Sequence, residues 1–427
     1  MGITGADRLT PWRRAAALLV GALAGCTSGS VPAKRPTVAP SPASQEVEVR
    51  IGLSVGAGSA TVGGGGAVAI NQPDGSRIAV IPVGERWQVG VAGQGLVLSS
   101  PNGWVSPQLE AVTLAAIDPR APLWLNDKAY RGLGELLRDR TGLTVVNRLG
   151  MESYLLGVVS AEMGRRSPIE QEALRAQAVV SRTYALKHLR RWRTDGFDLY
   201  GTVADQAYGG VAAETAEGRA AVSETRGRVL TYDGAVIEAF YFSTCGGRTA
   251  DGYEVFRGAV RPYLRSVSDL NESGSAYCSI SPRYRWREEW SGEALRATLQ
   301  RNLPSLTGTA SATIGTVTDV RVTQRSASGR VEQLSIALAG SEVRVDGHAR
   351  IRQALRAPSG QLLRSTAFSL IATGAGRNVT SLVIDGIGAG HGVGLCQWGA
   401  VGRARAGQGY QQILAAYFPG TRLERRY

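Results

Sequence analysis

From Glu46 to about Trp124 the apolar and polar positions follow a strand period. Val47, Val49, Ile51 and Leu53 alternate with Glu48, Arg50 and Gly52, so one face is apolar. Asp74-Gly75 between apolar runs predicts a hairpin, and Gly63 to Gly66 predicts a flexible turn. Residues 46–144 read as a β-rich N-terminal layer, with Tyr130 to Val146 continuing it as strands joined by a turn. The period then changes. Leu155, Val158, Val159 and Glu162 fall at i, i+3, i+4 and i+7 and share one face of a short helix. Ser167-Pro168-Ile169-Glu170 predicts the start of a second helix: Ser167 as N-cap, Pro168 at N1, Glu170 closing a capping box. That helix is expected to run to about Arg191, and its small residues admit close approach of another backbone.

Further along, Gly227 to Ser243 predicts a hairpin, with Val229, Leu230 and Tyr232, a turn at Asp233-Gly234, and a return from Val236 to Phe242. Residues 286–372 change texture. Helical stretches at Ala294 to Leu303 and Ala349 to Leu355 sit among Val-rich strands, which predicts an inserted α+β subdomain. The core is split around it, residues 145–285 before and 373–427 after, with its motif resuming at Val383. The fold class is α+β, with a central capped helix beside the region of interest.

The N-terminus adds an address. Arg8, Arg13 and Arg14 precede the apolar run Ala15 to Ala24, which ends in Leu23-Ala24-Gly25-Cys26. The run is too short to cross a bilayer by itself and fits a signal peptide. Small residues before a cysteine resemble a bacterial lipobox, so residues 1–26 read as a lipoprotein signal peptide and Cys26 as the lipidation site. An ordinary signal peptide with an incidental cysteine is the alternative. Residues 27–45, rich in Ser, Pro, Ala and Thr, bury too little to fold and read as a tether. The expected place is the cell envelope, extracytoplasmic and held to the membrane by lipid. The formal net charge of +13 favours anionic partners. Export argues against nucleic acid among them, and acidic wall polymers and lipid headgroups remain.

Glu162 is the first candidate for chemistry. A carboxylate on an apolar stripe is desolvated, desolvation raises its pKa, and a carboxyl group tuned towards neutrality suits a general acid. A salt-bridged structural glutamate near a helix end has the same spacing. His391 lies in Gly386-Ile-Gly-Ala-Gly-His-Gly-Val-Gly394, where alternating glycines predict a strand with one bare face that a polymer can approach. The run is neither a dinucleotide fingerprint nor a phosphate loop. Ser243 and Thr244 end a strand, and a triad of Ser243 with His391 is conceivable, without the usual elbow or a placed acid. Besides Cys26 there are three cysteines, Cys245, Cys278 and Cys396. Either Cys245 and Cys278 form a disulfide and Cys396 stays free, or the three bind Zn²⁺ with His391 as a further donor.

Several segments together resemble the SpoIID/LytB family, that of stage II sporulation protein D and the amidase enhancer. They are Gly157-Val-Val-Ser-Ala-Glu-Met163, Glu172-Ala-Leu-Arg-Ala-Gln-Ala-Val-Val-Ser-Arg-Thr-Tyr-Ala185, Phe242-Ser-Thr-Cys-Gly-Gly-Arg-Thr249, Arg261-Pro-Tyr-Leu264, Gly390-His-Gly-Val-Gly-Leu-Cys-Gln-Trp-Gly-Ala400, and Ile413-Leu414 to Tyr417-Phe-Pro-Gly-Thr421. They occur in the family's order from about Val145 to Thr421. The resemblance implies a lytic transglycosylase acting on peptidoglycan glycan strands, in sporulation members strands already stripped of stem peptides. The bond joining N-acetylmuramic acid to N-acetylglucosamine is cut to give a 1,6-anhydro end. The family's catalytic glutamate falls on Glu162. Arg182, Tyr184, Tyr241, Ser243, His391 and Gln397 sit in matching motifs and are expected to line the groove. No cofactor is implied, and zinc at the cysteines would be a local feature. The amidase-enhancer branch offers an alternative: a non-catalytic peptidoglycan-binding module that stimulates a wall amidase.

Overall fold

The computed structural model describes residues 46–427 except 259, 376 and 377. The expected signal peptide, the tether and Cys26 lie outside the described residues. The rest is α+β.

The N-terminal layer is built of two sheets. Seven strands pair in the order Leu199–Tyr200, Glu48–Ala57, Leu143–Gly150, Leu133–Arg138, Ala111–Ala116, Val68–Asn71 and Arg77–Ile81. Five more pair in the order Gly95–Ser99, Arg86–Ala92, Ser59–Gly64, Leu123–Leu125 and Lys128–Tyr130. The alternation seen in the sequence is the reason. Val49 and Ile51 are fully buried, while Arg50 between them turns outward and pairs with Glu135 at 2.6 Å. The Asp74-Gly75 hairpin forms between Val68–Asn71 and Arg77–Ile81. The turn expected at Gly63 to Gly66 is only half a turn, because Gly63 and Gly64 belong to a strand. A Cβ on Gly63 would stand 2.3 Å from the Glu85 carbonyl oxygen, so packing rather than flexibility requires that glycine.

The first helix, α1 (Met151–Met163), buries Leu155, Val158 and Val159 completely. After it, the Ser167 N–H donates to Glu170 Oε2 at 3.0 Å, half of the expected capping box. The first turn is 3₁₀, Pro168–Glu170, and the second helix, α2, spans Gln171–Lys187. It stops short of Arg191. Arg190 has φ +66°, and its N–H donates to Asp198 at 2.8 Å, which also accepts from the Arg50 N–H at 2.9 Å. That carboxylate draws the chain back to the sheet. Buried through most of its length, α2 packs against α1 and against the helices Ala216–Glu224, Gln397–Arg405 and Tyr410–Tyr417.

Two boundaries differ from expectation. The hairpin at 227–243 is short: Arg228–Tyr232 pairs on one side with Ala235–Val236, across a turn with φ +48° at Asp233 and +77° at Gly234, the primed geometry that suits hairpins, and on the other side with Arg422–Arg425. Tyr241–Phe242 instead pairs in parallel with Leu395–Cys396, a long-range contact no local pattern announces. A second hydrophobic core draws on residues from Trp286 to Ile384, past the 372 expected as the end of the insertion. The strand Asn378–Ile387 lies between Arg285–Ser291 and Phe368–Ala375. Leu382 and Ile384 on it join Trp290, Leu295, Leu299 and Leu334 in this core, separate from the first. The main core therefore resumes after Ile387, not at Val383.

Candidate functional site

A cleft of about 840 Å³ opens at the C-terminal end of α1. Glu162 enters it because the three buried residues before it fix the helix face, and Gly164 with φ +69° ends the helix there. Glu162 Oε1 accepts from the Ala207 N–H at 2.7 Å and from the Tyr241 hydroxyl at 2.9 Å. Gln397 Nε2 reaches Oε2 at 3.5 Å. Burial pushes the carboxyl pKa up and these three donors pull it down, with burial prevailing. Among the described residues no cation pairs with Glu162, so it is not the salt-bridged structural glutamate that the spacing also allowed.

The donors are themselves held. Gln206 Nε2 donates to Tyr241 Oη at 3.2 Å, and Gln206 Oε1 accepts from Tyr154 at 3.2 Å. Asp205 anchors the loop that carries the Ala207 amide. It accepts from Tyr184 at 3.0 Å, Arg191 at 3.0 Å, Trp192 Nε1 at 2.9 Å and the Tyr200 N–H at 2.9 Å. Among the described residues Asp205 is the only other carboxylate lining the cleft, and these bonds commit it. Asp205, Gln206 and Ala207 were not found from the sequence. Their loop has no motif, and their role exists only because the chain folds back onto the end of α1.

Of the expected groove residues, Tyr184, Tyr241, Ser243, His391 and Gln397 line the cleft with Glu162. Arg182 does not. It is fully buried and makes a bidentate pair with Glu152, at 2.8 and 2.6 Å, while Nη1 reaches the Arg228 carbonyl at 3.1 Å. Burial raises the Glu152 pKa, but Arg182, together with the Tyr427 hydroxyl and the Gly227 N–H, more than offsets that and holds it below the ordinary value. Two residues along a helix point to opposite sides, so Tyr184 on the cleft face puts Arg182 in the core.

His391 serves the backbone. Nε2 donates to the Tyr241 carbonyl and the Val393 N–H donates to Nδ1, at 2.9 and 3.1 Å. Burial pushes its pKa down to about 4, leaving a neutral ring against Phe242 and Phe256, each 5.3 Å away. The conceived triad is not formed, since Ser243 Oγ neighbours Thr244 Oγ1 at 3.2 Å and both His391 nitrogens are taken. Nor is the glycine run a bare strand. Gly388, Gly390, Gly392 and Gly394 all have positive φ, and a Cβ on Gly394 would lie 2.1 Å from the Phe240 carbonyl oxygen. The glycines let this segment close on the strand beside it, so the surface offered to a polymer is the cleft.

The rim is basic. Arg166 stacks over Trp398 at 4.4 Å. Arg283 and Arg352 line both the cleft and an adjoining groove of about 560 Å³ that also contains Arg364. Arg352, Leu362 and Arg364 come from the inserted subdomain, which thus builds one wall. The cysteines lie beneath this site. All three are free and buried, and Cys245 Sγ stands 3.4 Å from Cys278 Sγ, well beyond the roughly 2.05 Å of a disulfide. His391 is not the fourth member of their cluster; Asp269 is.

Fold and site together define a protein with a desolvated carboxyl group, unpaired with any cation among the described residues, at the centre of a basic cleft. The family model "Stage II sporulation protein" matches residues 139–232, which hold α1, α2 and Glu162. A domain of unknown function (DUF8618) matches residues 270–394, spanning the inserted subdomain. An uncharacterised protein of Brachyspira hyodysenteriae is 31% identical over 336 residues, 78% of this chain and 77% of that protein. Stage II sporulation protein D of Bacillus subtilis is 27% identical over 299 residues, 66% of this chain and 77% of that protein. The amidase enhancer of Bacillus subtilis is 28% identical over 291 residues, 63% of this chain but 40% of that protein. The chain belongs to the SpoIID/LytB family.

Proposed function

We propose that this chain is a peptidoglycan lytic transglycosylase of the cell envelope, held there by lipid on Cys26. The observation that carries the reading is Glu162: desolvated, without a cation partner among the described residues, and held by donors from three segments in a cleft whose other described carboxylate is committed. Raised by burial, the Glu162 carboxyl protonates the oxygen linking N-acetylmuramic acid to N-acetylglucosamine, and the C1–O bond breaks. The resulting carboxylate, stabilised by Ala207 N–H, Tyr241 and Gln397, takes the proton of the muramic acid C6 hydroxyl as that oxygen bonds to C1. The product is a 1,6-anhydro end, Glu162 is protonated again, and no water is consumed. One carboxyl group acting as acid and then base is enough here, unlike the carboxylate pair of ordinary glycoside hydrolysis.

The arginines of the rim fit an anionic glycan. Muramic acid stripped of its stem peptide exposes a lactyl carboxylate, and Arg283, Arg352 and Arg364 lie along the groove that leads from Glu162. Arginine meets carboxylates in bidentate fashion. The substrate is therefore read as peptide-stripped strands.

A second reading is a binding module that stimulates a wall amidase. The similarity to a protein named amidase enhancer favours it. One experiment separates the two. Glu162→Gln is incubated with purified strands, stripped and intact side by side, and the products are weighed by mass spectrometry. Loss of anhydro ends with retained glycan binding supports the enzyme. Digestion as fast as wild type overturns it.

A further inference from the structure

Beneath the cleft, Cys245, Cys278, Cys396 and Asp269 each bring one ligand atom within 4.8 Å of the others, and all four residues are buried. We propose that these four residues bind one zinc ion as a closed, tetrahedral, structural site. Nothing in the proposed glycan chemistry uses it, so the inference stands apart from that reading.

The donor set is right for zinc. Three thiolates with one carboxylate complete four-coordination and leave no open position. An ion about 2.3 Å from each sulfur holds them about 3.8 Å apart. The Cys245 and Cys278 sulfurs are 3.4 Å apart, and Cys245 Sγ lies 3.1 Å from Asp269 Oδ2, so loading spreads these two pairs by tenths of an ångström, and the 4.8 Å bound on the cluster keeps every other shift to about 1 Å.

The surroundings are prepared for thiolates. Cys396 Sγ accepts from the N–H groups of Cys245 and Gly399, at 3.1 and 3.2 Å. The second of these bonds makes Cys396 the N-cap of the helix Gln397–Arg405, where the helix dipole favours negative charge. Cys245 Sγ accepts from Gly247 N–H at 3.4 Å. Neutral thiols do not need so many amides.

An outer shell is in place as well. Asp269 leaves Oδ2 to the sulfurs, while Oδ1 accepts from Tyr417 at 2.7 Å and from Arg403 Nε at 3.0 Å. Such partners orient a ligating carboxylate. The charge closes too. Three thiolates, one carboxylate and Zn²⁺ sum to a dianion, and two buried arginines face it. Arg403 is the first. Arg330 is the second: it is 1% exposed, its Nη2 donates to the Cys245 carbonyl at 3.2 Å, and its Nε and Nη1 have no hydrogen-bond partner among the described residues. Among the described residues Arg330 makes no ion pair. A buried guanidinium without a counter-ion is costly, and the loaded cluster supplies one.

The ion would pin three segments under the site. Cys245 lies two residues after Ser243 of the cleft wall, Cys278 lies in the 3₁₀ turn Tyr277–Ile280, and Cys396 immediately precedes Gln397, which reaches Glu162. Its role is to hold the cleft wall, not to react.

The test uses the full chain with Cys26→Ser, so that only the three cysteines remain. Purified without chelator, it is expected to carry about one zinc per chain by plasma mass spectrometry. Unfolded with chelator and no reductant, it is expected to show three titratable thiols. Cobalt(II) in place of zinc is expected to give a thiolate-to-metal charge-transfer band. Cys278→Ser and Asp269→Ala are each expected to lower bound zinc at least about tenfold, while Glu162→Gln keeps it whatever its activity. Should those two variants fail to fold, the unmutated chain decides: chelation lowers its Tm and zinc restores it. A metal-free chain whose Tm ignores added zinc overturns the proposal, as does one thiol per chain, which means a disulfide.

Discussion

The Tyr241 hydroxyl donates to Glu162 Oε1 at 2.9 Å across 79 residues of chain. That bond stabilises the carboxylate, not the acid. Tyr241→Phe removes it and moves the Glu162 pKa further up. A hydrogen bond to a charged group contributes about 1.5–3 kcal/mol, so release of anhydro ends is expected to fall roughly 10- to 100-fold. The alkaline limb of the pH–rate profile is expected to move to higher pH, and an unmoved limb would remove Tyr241 from the acid–base step.

Glu162 itself costs stability when ionised. Its folded-state pKa is raised, so its stabilising share is present at low pH and lost as pH rises through that value. Glutamine imitates the protonated form. Glu162→Gln is therefore expected to melt above wild type at pH 7.5 and to converge with it near pH 4. Calorimetry at the two values reads this directly.

Arg182 makes the opposite case. Its pair with Glu152 is buried, and breaking such a pair leaves an uncompensated charge. Arg182→Met is expected to cost about 3–5 kcal/mol in urea unfolding. Because Arg182 does not line the cleft, the folded fraction is expected to keep its kcat.

Two histidines should make the chain acid-sensitive. Burial holds His391 and His348 each down to about 4. A depressed histidine contributes stability above its unfolded pKa that is lost as pH falls from about 6.5 towards 4. His348→Gln, buried and outside the cleft lining, is expected to flatten the pH dependence of Tm across that window. An unchanged slope would mean that His348 is not buried neutral.

The basic groove predicts a selective effect. Arg352→Ala with Arg364→Ala is expected to raise KM for peptide-stripped strands several-fold and to weaken its salt dependence, with kcat retained. Equal effects on intact strands would argue against recognition of the lactyl carboxylate.

The sequence by itself determined the local elements. The alternation at Val49 and Ile51 makes a half-buried strand, the spacing from Leu155 to Glu162 makes a helix face, and Ser167 to Glu170 starts a helix, because each depends on residues a few positions apart. It also marked Glu162 as a desolvated carboxyl, since burial of its helix face follows from period alone. Tertiary structure decided the rest. Tyr241 meets Leu395 across 154 positions of chain, Asp205 fixes the amide that holds Glu162, and Arg182 faces the core although its motif neighbour Tyr184 faces the cleft. The strand Asn378–Ile387 left the main core for the second one because its apolar partners lie there. Three cysteines gained Asp269 rather than His391 as a neighbour, because both His391 nitrogens are held by backbone. In each case the deciding partner is distant in the chain, and only packing of the whole fold brings it within bonding range.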